Sequence, residues 1–405
     1  MPGIALRILV FSWEYPPVIE GGLARHVRNL SEQLVDQGVE VHVVTRGSEA
    51  LAAGVEERHG VIVHRVGQPQ FPRDDVEAFL EWVAHMNDAM ARRAAALTGS
   101  TPFDVVHSHD WLVADAARTT ARRLGVPWLA TVHATEYGRH QGWVQKHPQS
   151  VIHAAERAMA READHVITCS RYMRSHVAQV FGVPARRITA MQNGIDVDDL
   201  EPVADDLSAL RARFADPGQQ LVLLVGRLVY EKGFHLALDA LAPVIKRRGD
   251  VRFVVAGTGT AEAELRRQAR RLGLTRAGRF LGWVGDDMLH SLYRVADLCI
   301  VPSIYEPFGI VALEAMASGC LCVVADTGGL REVVPGDGTV GLRFPSRDSA
   351  ALRDILEQVL ADDALRVRLT AEAREHVLRY DWSEVARETL VVYARLLSEA
   401  PAPAL

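Results

Sequence analysis

Cysteine is scarce in this chain: the 405 residues hold four, Cys169, Cys299, Cys320 and Cys322. They stand in apolar, strand-like contexts with no metal-ligand spacing among them, which excludes a disulfide scaffold. They read as small core hydrophobes of a protein in a reducing cytoplasm. Positive charge is also short, with 45 Lys plus Arg against 51 Asp plus Glu and a net charge of −6. A dedicated nucleic-acid binder would carry the opposite balance, so nucleic acid is not an expected partner. No apolar run approaches the roughly 20 residues of a membrane span. Met1-Pro2-Gly3 lacks the basic start of a signal peptide. Peripheral membrane contact is compatible with all of this, and the composition carries no information on oligomeric state.

What is present is a globular composition, 48% hydrophobic and 24% charged, long enough for two or three domains. The first half opens with an apolar run at residues 6–11 and a Pro- and Gly-rich loop at 12–22. An amphipathic stretch follows at 23–37, then a strand at 39–45. Short apolar strands of this kind belong to a parallel sheet covered on both faces. Further strands are expected at 61–66, 105–107, 128–132 and 165–169. The second half restarts the pattern, with strands at 221–225, 251–256, 279–281, 298–301 and 321–324. Helices are expected at 234–248 and 261–272. Two successive α/β units predict two Rossmann-like domains. The turn signal Asn193-Gly194 and the polar stretch to Pro202 mark the boundary, giving domains of 1–197 and 198–381. An amphipathic helix is expected at 382–398, followed by a frayed end at 400–405.

Parallel sheets bind ligands at the carboxyl ends of their strands, so the loops there carry the chemistry. Gly21-Gly22 in the first loop suits a phosphate near a helix N-terminus, though taken alone the pair more often marks a tight turn. Arg227 and Lys232 fall in one strand-to-helix loop, as a leaving diphosphate requires. Two surface cations would look the same in isolation. The segment from Val301 to Ala315 is more informative. A strand ends at Val301, a Pro-containing loop holds Glu306, and a helix begins near Gly309. The amides of Gly309, Ile310 and Val311 are then available to phosphate oxygens. Glu306 and Glu314 flank that helix start; a carboxylate there suits sugar and ribose hydroxyls better than a diphosphate.

These residues resemble the retaining GT-B glycosyltransferases of family GT4, glycosyltransferase group 1, with kinship to glycogen and α-glucan synthases. Glu306 to Glu314 resembles the family's E-x7-E motif, and Gly226-Arg227 to Lys232-Gly233 its G-R-x-x-x-x-K-G element. Trp13-Glu14-Tyr15-Pro16-Pro17 with Gly21-Gly22, His107-Ser108-His109-Asp110-Trp111 and Asn193-Gly194-Ile195-Asp196 complete the set in order. The resemblance implies two Rossmann-like domains with parallel sheets facing across a cleft, an N-terminal acceptor domain and a C-terminal donor domain. It implies that Arg227 and Lys232 bind the diphosphate, that Glu306 meets the donor sugar, and that Glu314 holds the ribose. Gly22 would approach the diphosphate, His109 would lie beside the sugar, and Trp283 and Val284 would line the nucleotide; Gly257, after a strand, suits lining the nucleotide and a tight turn equally. No resident cofactor or metal is implied. The partners are a nucleotide-sugar donor and a carbohydrate acceptor.

The first loop has Ile19 and Glu20 where bacterial glycogen synthases have Lys-x-Gly-Gly, and Phe308 stands where they tend to have Cys. The expectation is therefore a hexosyltransferase of family GT4, preferring glucose and a glucan or glucosyl acceptor. A mannosyltransferase with a lipid or inositol acceptor is the alternative. Arg118, Arg122 and Arg123 would give such an enzyme a basic face, and fit a solvated helix face as well. An NAD-dependent dehydrogenase would need G-x-G-x-x-G after its first strand, which neither half has. A sugar-nucleotide epimerase, or a sugar-binding module without catalysis, are the competitors from other classes. His133, at the end of a strand, fits an acceptor contact or a structural histidine.

Overall fold

The computed structural model describes residues 6–48, 51–72, 75–97, 102–200 and 206–399. Pro202 and residues 400–405 lie outside them. The chain divides into two units, Met1–Gly194 with Asp381–Leu405, and Ile195–Tyr380.

The first unit is built on eight strands: β1 (Arg7–Phe11), β2 (Glu40–Arg46), β3 (Gly54–Arg58), β4 (Val61–Val66), β5 (Val105–His109), β6 (Trp128–Val132), β7 (His165–Thr168) and β8 (Ile188–Ala190). Their order is β3-β4-β2-β1-β5-β6-β7-β8. Every pairing is parallel except β3 with β4. β1 has Ile8, Leu9 and Phe11 fully buried, as a strand covered on both faces must. One cover is the helix Gly22–Asp36, whose Val27, Leu30 and Leu34 meet Ile8, Val10 and Val41. The terminal helix Trp382–Glu399 adds Trp382, Val385 and Tyr393 to the same core. Asp381 opens that helix by accepting the Ser383 amide at 2.8 Å.

The second unit has six parallel strands, β9 (Gln220–Val225), β10 (Val251–Ala256), β11 (Gly278–Gly282), β12 (Leu298–Val301), β13 (Leu321–Asp326) and β14 (Leu342–Pro345). Their order is β11-β10-β9-β12-β13-β14. Its core joins Val222 and Leu224 of β9 to Phe234, Leu238 and Leu241 of the helix Phe234–Arg248. All four cysteines are buried and unbridged.

Both sheets reverse strand order once, at β1 and β5 in the first and at β9 and β12 in the second. In such sheets the loops leaving the two central strands diverge to opposite faces and open a crevice. Three strands were not legible in advance. β3 is charged and exposed, β8 has three residues, and β14 ends in a proline; all belong to sheet margins. Among the described residues no helix is long and apolar enough to cross a membrane.

Candidate active site

In the second unit the switch point collects the predicted loops. The loop after β9 carries Arg227 and Lys232, and the loop after β12 carries Glu306. They are sewn together through backbone. The Glu231 carbonyl accepts the amides of Ile304 at 2.8 Å and Tyr305 at 3.2 Å. Lys232 Nζ donates to Glu306 Oε2 at 2.7 Å, and Ser303 Oγ donates to the same oxygen at 2.9 Å. Both partners are largely buried, so the pair is little screened and fixes each side chain against the other. Arg227 is more open and lies 3.8 Å from Glu231.

Glycines set how closely these loops approach. A Cβ on Gly233 would lie 2.0 Å from the Pro302 carbonyl oxygen, and one on Gly328 would lie 2.0 Å from that of Glu306. Gly329 donates its amide to that same Glu306 oxygen at 2.9 Å. The turn after β10 joins the group: a Cβ on Gly257 would stand 1.9 Å from the Gly226 carbonyl, and its φ is +137°.

Gly309, with φ of 120°, opens the helix Ile310–Ala317 without a side-chain cap. The amides at that start are directed to whatever lies beyond it. Glu314, one turn in, is buried and accepts a hydrogen bond from the Tyr293 hydroxyl at 2.9 Å. It does not lie on a solvated face. Trp283 is 77% exposed, and Val284 beside it is half-buried. Both follow β11 and precede the helix Asp286–Val295.

In the first unit the loop after β1 differs from expectation. The buried Glu14 carboxylate accepts the amides of Glu20 and of Gly21, the latter at 3.2 Å. A carboxylate of the chain thus already fills part of the anion-binding loop. Gly22 is the first residue of its helix. Burial pushes the Glu14 carboxyl up to about 7. Sequence reasoning missed this role, because Glu14 lies within the motif and nothing local shows which amides it takes.

At the end of β5 stands Asp110. Its φ is +61° and it makes no capping bond. Its Oδ1 instead accepts the His133 amide at 2.8 Å, tying β5 to β6. Burial raises its carboxyl to about 6. His109 Nδ1 and His133 Nε2 are 3.0 Å apart. His26, from the helix Gly22–Asp36, stands edge-on to His133 with ring centroids 4.5 Å apart. Its Nδ1 lies 3.1 Å from Asn193 Oδ1. Burial holds His26 and His109 well below the ordinary imidazole value and His133 at about 4, so all three are neutral at pH 7. His107 is structural: it bonds Tyr393 at 2.8 Å and Thr131 at 2.7 Å. His26 escaped the sequence reading because a single histidine in an amphipathic helix has no distinguishing signal. Arg118 and Arg122 are paired with Asp115 and Glu162, as a solvated helix face would have them.

Doubly wound parallel sheets with glycine-tightened loops at their switch points define an α/β protein of the GT-B class. A family model described as Glycosyltransferase Family 4 matches residues 20–199, and one described as Glycosyl transferases group 1 matches residues 209–376. The chain is 39% identical to a glycogen synthase of Mycobacterium tuberculosis, over 96% of this chain and 94% of that protein. It is 34% identical to a D-inositol 3-phosphate glycosyltransferase of Frankia alni, over 94% of this chain and 96% of the relative. A sucrose-phosphate synthase of Thermosynechococcus elongatus has the same fold, with a TM-score of 0.82 at 24% identity, over 97% of this chain and 99% of the other. The chain belongs to family GT4, the group 1 glycosyltransferases, and is a retaining, nucleotide-sugar-dependent transferase related to glycogen synthase.

Proposed function

We propose that this enzyme moves glucose from a nucleoside diphosphate sugar to a glucan or similar glucosyl acceptor, forming an α-linkage. The observation that carries the reading is the joined pair of loops after β9 and β12, which holds Arg227, Lys232 and Glu306 in one place. The relation to glycogen synthase supports the choice of sugar and acceptor.

In this reading the second unit binds the donor. Arg227 and Lys232 take the diphosphate, together with the amides of Gly309, Ile310 and Val311. Glu306 faces the donor sugar hydroxyls and Glu314 the ribose. Gly257, Trp283 and Val284 line the nucleotide. The first unit binds the acceptor, with Gly22 near the diphosphate and His109 beside the sugar.

The chemistry is substitution at the anomeric carbon. The bond from that carbon to the diphosphate oxygen breaks, and a bond to the acceptor oxygen forms on the same face. The departing phosphate oxygen takes the acceptor's proton. The protein positions the reactants and stabilises the charge that grows on the leaving group. Two cations and a helix start supply that stabilisation, so no resident metal is required in the reaction.

A panel of UDP-, ADP- and GDP-sugars against glucan, inositol and lipid acceptors tests the proposal. Nucleotide release with a glucan product one hexose heavier, unchanged by excess chelator, is expected. Transfer confined to inositol or lipid acceptors would replace the glucan reading with the mannosyltransferase alternative. Epimerised donor with its diphosphate intact would remove transfer altogether.

A further inference from the structure

Three imidazoles meet in the first unit without any role that accounts for all of them. His26 comes from the helix after β1, His109 from the end of β5, and His133 from the residue after β6. One ring nitrogen of each lies within 4.8 Å of those of both others. We propose that His26, His109 and His133 form a binding site for a transition-metal dication, zinc above all, and that its occupation blocks the sugar position beside His109. The binding half stands alone; the blocking half rests on the transferase reading.

The first support is an unsatisfied atom. His26 Nε2 is buried and has no hydrogen-bond partner among the described residues. Its Nδ1 faces the Asn193 side-chain oxygen, which can only accept. The ring's proton therefore sits on Nδ1, and the lone pair sits on the unpartnered Nε2. A carbonyl-type oxygen holding the far nitrogen of a histidine is the usual outer support of a metal ligand. Leaving that lone pair buried without a partner costs about 1–3 kcal/mol.

The second support is shape. Three imidazoles on one tetrahedral zinc, with Zn–N of about 2.0–2.1 Å, have ring centroids about 5 Å apart. Here the separations are 4.5 Å for His26 with His133, 5.3 Å for His26 with His109, and 5.3 Å for His109 with His133. The backbones that carry them are pinned by β5 and β6 pairing and by Asp110 on the His133 amide. Binding exchanges the His109–His133 hydrogen bond for two metal bonds. The ring that donated moves its proton to its other nitrogen, so no net proton leaves. The three protein ligands leave a fourth position for water.

Zinc titration of the whole chain by calorimetry, with zinc-edge X-ray absorption on the complex, decides the matter. One equivalent bound through three imidazoles is expected, and Co2+ should give the intense visible absorption of a four-coordinate site. His26→Gln should weaken zinc binding at least tenfold, and His133→Gln should do the same. If either variant fails to fold, the imidazole count on the parent complex still decides. Absence of saturable binding, fewer than three imidazoles, or a folded His26→Gln with parent affinity would each overturn the site. Zinc should also inhibit transfer, and chelator should restore it. Tight binding through three imidazoles with unaffected transfer would refute the blocking half alone.

Discussion

Lys232 and Glu306 neutralise one another across 2.7 Å, and this pair decides what each substitution does. Replacing Lys232 by Ala removes a cation from the proposed leaving-group site and leaves Glu306 with Ser303 alone. Turnover should fall by about 10²–10³, the usual effect of losing one charge-stabilising donor. Arg227→Ala should act similarly. Its exposed side chain has little to do with folding, so its thermal midpoint should match the parent. Steady-state kinetics beside a melting curve check both, and near-parent turnover in the pair would sink the assignment. Glu156 behaves differently. Both its oxygens accept the Glu136 amide, at 2.8 and 2.9 Å. Burial pushes its carboxyl from 4.5 up to about 8. The folded form then holds a proton that the unfolded form releases, so stability falls as pH rises from 4.5 to 8. Glutamine keeps an acceptor oxygen without the titration. Glu156→Gln should therefore be more stable than the parent at pH 8, by up to a few kcal/mol, and about equal to it at pH 4.5. Urea midpoints at the two pH values measure this.

At the scale of elements, the strands under the sites were the most legible part. β4, β6, β10 and β12 fall at their expected bounds because apolar, β-branched runs buried on both faces have no other use. β3, β8 and β14 were not legible, since a margin strand needs little apolar surface and is paired from one side. The loops split the same way. The loop positions of Arg227, Lys232 and Glu306 and the helix start at Gly309 were legible because each follows a strand end in a recognisable spacing. The Glu231 carbonyl, the carboxylate of Glu14 on two amides and the partnership of His26 were not, because backbone bonds and long-range pairings leave no local pattern. Gly257 is where one element leans hardest on another. Gly257→Ala would place a methyl 1.9 Å from the Gly226 carbonyl at a φ of +137°. Neither backbone can yield without moving β9 or β10, so a loss of about 2–4 kcal/mol is expected. The same change at Gly249, which meets nothing within 4 Å, should cost less. Denaturant unfolding of the two variants makes the comparison, and equal losses would refute the close approach.

At the scale of the molecule, the buried histidines are unevenly shared. His26, His42, His64, His107, His109, His133, His153, His165 and His176 of the first unit are held below the ordinary 6.5, mainly by burial, against His235 and His376 of the second. The fold keeps each of them neutral. Their stability contribution is complete above pH 6.5 and is lost as pH falls toward about 4. Glu14, Asp110 and Glu156 work in the opposite sense, but they are three against nine. Acid should thus weaken the first unit selectively between pH 6.5 and 4. Hydrogen exchange at pH 5 and pH 7, corrected for intrinsic rates, should show protection falling in β1, β5 and β6 before β9 and β12. Uniform loss across both sheets would contradict this.

The helix Trp382–Glu399 supplies Trp382, Val385, Ala386, Val392, Tyr393 and Leu396 to a core whose other buried members precede Gly194. A ribosome therefore makes the whole second unit before it delivers the piece that closes the first. Until then the nascent sheet waits with an apolar flank bare and with the His107 imidazole lacking its Tyr393 hydroxyl. A stop codon near the end of the message would therefore damage the part of the protein that was translated first.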